Sequence, residues 1–145
     1  MKLVLDHFIN IELKEFLLTQ EGITKVDLGE NKMLTVLDIK YNEKVTPYII
    51  MKYIELFQNT KNSILFEFDK ETQGNYKVLK YIVSDMCCEY CYKNLIMDLF
   101  ERQEVKSARS NFDDNKPPFN IEFTIEINEK YPQEKIIKYI EENYN

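Results

Sequence analysis

The residues best able to do chemistry stand together in the run Ser84-Asp85-Met86-Cys87-Cys88-Glu89-Tyr90-Cys91, which holds all three cysteines of the chain. A thiolate is a soft ligand and a nucleophile, so the cluster could hold a thiophilic metal ion or cycle between dithiol and disulfide. Cys88 and Cys91 are separated by two residues. At the start of a helix that spacing can turn both sulfurs toward one point, and the amides there favour thiolate over thiol. Other catalytic equipment is scarce. With one histidine and three glycines, the chain offers no Ser-His-Asp set and no glycine-rich phosphate loop, and no catalytic carboxylate pair stands out, so a non-enzymatic role is expected.

The elements that must position the thiols are a strand over 78–83 and an amphipathic helix from about Cys88 to Gln103. They belong to a repeated unit. Asn42 to Glu55 reads NEKVTPYIIMKYIE and Asn128 to Glu141 reads NEKYPQEKIIKYIE, identical at eight of fourteen positions without a gap. Such self-similarity marks a duplicated supersecondary unit. Before each match the sequence alternates as a half-buried strand does, with Met33, Thr35, Leu37, Ile39 and Tyr41 against Phe119, Ile121, Phe123, Ile125 and Ile127. After it, Thr46-Pro47 supplies a cap and a first-turn proline, and Ile50, Met51, Ile54 and Phe57 fall on one helical stripe, repeated by Ile136, Ile137 and Ile140.

Upstream, Leu13 and Leu17 align with Leu95 and Leu99, and Ile23 with Val105, giving a first helix and a second strand in each copy. Asn10 is placed to cap the first of these helices and Gly22 to end it. A longer loop around Asp113 to Pro118 absorbs the change in spacing. The order strand, helix, strand, strand, helix, with a fourth strand over 64–68 in the first copy, predicts an α+β protein of two tandem ferredoxin-like sandwich domains, residues 1–70 and 76–145. The second copy reaches Asn145 where its fourth strand should begin. An edge left unpaired there would invite pairing with another chain, including a homodimer.

Charge narrows the partners. The formal net charge is −6, divided equally on either side of Asn75. Neither half is basic, so nucleic acid and anionic membrane surfaces are not expected partners. Apolar runs are too short to cross a bilayer, and Met1-Lys2 opens straight into a strand-like segment. A cytoplasmic location, where thiols stay reduced, is expected.

Met86-x-Cys88-x-x-Cys91 resembles the Met-x-Cys-x-x-Cys signature of heavy-metal-associated domains, the module of copper chaperones and copper ATPase N-termini. The likeness runs from about Tyr76 to Tyr144. Leu95, Leu99 and Glu104-Val105 stand at the family's spacings for helix residues and the opening of the second strand, with Glu104 in place of glycine. The resemblance implies Cu(I) held near-linearly by Cys88 and Cys91, with Met86 packed inward as support. It also implies transfer by thiolate exchange to a metal-transporting ATPase or another metal-accepting protein. Tyr144 is similar to the loop tyrosine near the metal in bacterial members.

Asp85 replaces the usual glycine, and Cys87 could add a third sulfur. Together they would shift preference toward Zn(II) or another thiophilic ion. In the first copy the residues aligned with Met86, Cys88 and Cys91 are Val4, Asp6 and Ile9, which cannot form a soft-metal site, and His7 nearby is expected to be a hydrogen-bonded structural residue. The first copy then serves as a docking or dimerising module. Two other readings of the thiols stay open: vestigial residues in an interaction or scaffold protein, and a dithiol redox pair.

Overall fold

In the computed structural model of the chain, the described residues are 1–6, 11–31, 34–58, 64–71, 74–84, 86, 89–111 and 120–144. They form an α+β protein of seven antiparallel strands and four helices. The chain divides into two compact units, Met1–Lys70 and Glu71–Asn145. None of the described helices is long and apolar enough to cross a membrane.

The first unit runs β1 (Lys2–Leu5), α1 (Ile11–Leu18), β2 (Ile23–Asn31), β3 (Leu34–Tyr41), α2 (Pro47–Gln58) and β4 (Leu65–Asp69). Its strands lie in the order β2-β3-β1-β4, with β1 central. Alternation decides which face is covered. Thr35, Leu37 and Ile39 of β3 are buried while their neighbours are only partly so, and α1 and α2 pack together above that side. Leu13 and Leu17 of α1 and Ile50, Met51 and Ile54 of α2 close the core. Phe16 and Phe57 join the helices at 5.1 Å between ring centroids. Thr46 caps α2 through its Oγ1, which accepts from the Ile49 amide at 3.3 Å.

The second unit runs β5 (Tyr76–Ser84), α3 (Glu89–Glu101), β6 (Val105–Ser110), β7 (Asn120–Asn128) and α4 (Gln133–Tyr144), with strand order β6-β7-β5. Ile121, Phe123, Ile125 and Ile127 point into its core, together with Leu95 and Leu99 of α3 and Ile136 and Ile140 of α4. Each such side chain taken fully out of water contributes about 1.5–3 kcal/mol.

The duplication extends to individual hydrogen bonds. The Asn42 amide donates to the Gly22 carbonyl and the Asn128 amide to the Glu104 carbonyl, both at 2.8 Å. The Asn42 side chain accepts from the Lys44 amide and the Asn128 side chain from the Lys130 amide, both at 2.9 Å. The shared Asn-Glu-Lys therefore marks an asparagine-closed turn between strand and helix. Ile23 pairs with Tyr41 and Val105 with Ile127, and each pair is followed by the same register shift. Gly22, at φ 89°, lies under Val45: an added Cβ would come within 2.7 Å of that side chain. Only glycine fits both the left-handed backbone and that approach.

Strand pairing corrects one expectation. Leu3 pairs with Leu37 and Tyr81 with Phe123, and Leu37 and Phe123 are equivalent in the repeat, so Leu3 corresponds to Tyr81 and Val4 to Ile82. Val4 is thus a strand residue and not the counterpart of Met86. From Leu3 to Leu13 is ten positions, and from Tyr81 to the equivalent Leu95 is fourteen. The second unit therefore carries four extra residues between these equivalent positions, and all three cysteines lie between Tyr81 and Leu95 in the sequence. The Asn10 cap, His7, Ile9, Met33, Phe119 and the loop at 113–118 lie outside the described residues.

Candidate functional site

Buried residues stand before, within and after the stretch that joins β5 to α3. Val83, near the end of β5, is fully buried, and Met86 is 3% exposed. Its burial agrees with a packing role, since an unbranched thioether fills irregular gaps well. Beyond the segment, Tyr92 is buried with its ring stacked on Phe123 of β7 at 5.6 Å, which fixes the first turn of α3 against the sheet. Cys91 precedes Tyr92 and is half-buried, so its thiol stands at the margin of the core, at the third residue of the helix. The first-turn amides of a helix have no intrahelical acceptor and lend positive potential to such a position.

Cys87, Cys88 and Asp85 lie outside the described residues. Among the described residues no group of three or more His, Cys, Asp or Glu side chains comes together as a metal cage. Met86 and Cys91 flank the two remaining thiols in the sequence.

Tyr144 is the last residue of α4 and is tied to α3. Its hydroxyl donates to Asp98 Oδ2, and the Tyr139 hydroxyl donates to the same oxygen at 2.7 Å. Asp98 is seven positions beyond Cys91 on α3, about 10 Å along the axis. Arg102, one turn further, sits over the Tyr139 ring at 4.4 Å from its centroid and pairs with Glu104 at 2.9 Å. Burial, then the Asp98 hydrogen bond and charge, push the Tyr139 phenol up to about 12. Tyr144 is raised as well, by burial first and Asp98 second. Both phenols stay protonated as donors at neutral pH, and the group clasps α4 to α3.

The sequence reading did not single out this clasp. A signal was available in the repeat: Asp98 stands where the first unit has Phe16, whose ring contact with Phe57 joins α1 to α2. A polar clasp in one copy replaces an apolar one in the other.

Neither a family model, nor a curated protein, nor a solved structure matches this chain.

Proposed function

We propose that the second unit binds a thiophilic metal ion, Cu(I) in the first instance, through the thiolates of Cys88 and Cys91, and passes it to a metal-accepting partner by ligand exchange. The observation that carries this reading is the setting of Cys91. It is a half-buried thiol in the first turn of α3, five positions after the buried Met86, in the copy of the repeat that holds all the cysteines. The helix start favours the thiolate that a soft cation requires, and two thiolates suit the low coordination of Cu(I). Met86 packs inward as support, Cys87 is available as a third sulfur, and a site using it would accommodate Zn(II).

In this reading each unit is a ferredoxin-like sandwich, the first with its four strands in the order β2-β3-β1-β4 and the second with the corresponding three. The first unit is a docking module, the protein is cytoplasmic and not an enzyme, and its partner is a metal-transporting ATPase or a comparable acceptor. Transfer proceeds as a partner thiolate bonds to the metal while Cys88 or Cys91 leaves, with no net redox change. Tyr144 acts at a distance, by holding α4 against the helix that carries Cys91. Elemental analysis of protein purified under reducing conditions tests the reading. It expects copper near one atom per chain after growth with copper, and metal-free protein under those conditions would count against it.

A further inference from the structure

We infer that the outer edge of β5 is a docking site for an extended, acidic strand of a partner protein, added antiparallel beside Tyr76–Ser84. The inference goes beyond the metal reading and does not depend on the thiols. Among the described residues β5 has a strand on one side only, β7. It is nine residues long, and on the face away from the helices Val78 is 59% and Ile82 53% exposed. A long edge with exposed apolar side chains is a template for another strand.

In the first unit the edge strand β2 is blunted: Lys25, Asp27 and Glu30 are exposed along it, and Lys25 and Asp27 pair at 3.7 Å. The charge on β5 is of one sign. Lys77 and Lys80 are its only charged residues, in a unit that is acidic as a whole.

The first unit shows what such an edge accepts. Lys80 corresponds to Lys2, Tyr81 to Leu3 and Val83 to Leu5 through their pairing with β7 and β3. On its far side β1 is covered by β4, Leu-Phe-Glu-Phe-Asp, with Lys2 opposite Asp69, Leu3 opposite Phe68 and Leu5 opposite Leu65. The same chemistry transferred to β5 calls for an acid opposite Lys80, an aromatic residue opposite Tyr81 and an aliphatic one opposite Val83. Opposite charges across a strand pair stabilise it and like charges do the reverse. A second copy of β5 fits less well, because the antiparallel register that sets Val78 against Ile82 also sets Lys80 against Lys80.

The probe is a fluorescent peptide copying residues 64–69, Ile-Leu-Phe-Glu-Phe-Asp, with a solubilising tail, titrated into the full chain and followed by anisotropy. Saturable binding is expected, weakened about tenfold by Lys80→Glu and little changed by Lys2→Glu, which reports on displacement of β4 instead. Circular dichroism checks that both variants fold, and Lys80 is exposed, so its exchange should not disturb the core. Absence of saturable binding overturns the proposal, as does binding that ignores Lys80→Glu. Sedimentation showing a dimer that Ile82→Glu dissociates would assign the edge to a second copy, and would overturn it too.

Discussion

Replacing Tyr139 and Tyr144 by phenylalanine, singly and together, probes how α4 is held on the helix that presents Cys91. Both hydroxyls donate to Asp98 Oδ2, Tyr139 at 2.7 Å. A hydrogen bond to a charged acceptor contributes about 1.5–3 kcal/mol, and partial exposure of this group brings each to about 1 kcal/mol. Phenylalanine keeps the ring under Arg102 and the edge-on contact between the two rings at 6.3 Å, so each exchange removes little besides a donor. Because the donors share one oxygen, Asp98→Ala should cost about 2 kcal/mol in the parent and under about 0.5 kcal/mol in the double phenylalanine variant. The comparison is made by urea unfolding at pH 7. Alkaline titration gives an independent check. The Tyr139 pKa is raised in the folded protein from 10.0 to about 12, so the stability it lends is complete below pH 10 and lost as pH rises through 12. The parent should lose stability across that window and the double variant should lose less. Equal costs for Asp98→Ala in both backgrounds, together with identical alkaline limbs, would refute the clasp.

Gly22→Ala should destabilise the first unit by about 1–3 kcal/mol, from the positive φ and the approach of Val45, read as a lower thermal midpoint. Met86→Ala should cost about 2–5 kcal/mol by leaving a cavity at its buried site, while Met86→Leu, of similar volume, should cost less than about 1.5 kcal/mol. Were Met86 a ligand rather than a packing residue, Met86→Leu would weaken metal affinity as strongly as a cysteine exchange. Asn128→Ala should lose about 1 kcal/mol with its hydrogen bond from the Lys130 amide, and Asn42→Ala about the same, since the two turns are alike.

Much of this architecture is legible in the residues because burial leaves a period. The alternation at Leu37 and Ile39 and at Ile121 to Ile127 announces strands, and the shared Asn-Glu-Lys announces a turn that the structure closes with an asparagine side chain each time. The register of β1 against β5 is not legible. Lys-Leu-Val-Leu and Tyr-Lys-Val-Leu-Lys-Tyr-Ile-Val-Ser satisfy the same alternation in several alignments, and only their partners on β3 and β7 choose among them. A shift of four residues there makes Val4 the counterpart of Ile82 instead of Met86.

The Asp98 clasp escapes for a related reason. Asp98, Tyr139 and Tyr144 look like solvated helix residues until α3 and α4 are set side by side. The thiol pair is legible as chemistry from its spacing alone. What the fold adds is the half-buried place of Cys91 at a helix start and the buried Met86 before it.

The central claim is that Cys88 and Cys91 together hold one soft cation. Reduced protein titrated with Cu(I) against a chromogenic chelator, beside Cys88→Ser, Cys91→Ser and Cys87→Ser, tests it most directly. The account predicts one tight equivalent per chain, lost in either of the first two variants and retained in the third. Undiminished binding in Cys88→Ser and Cys91→Ser would contradict it.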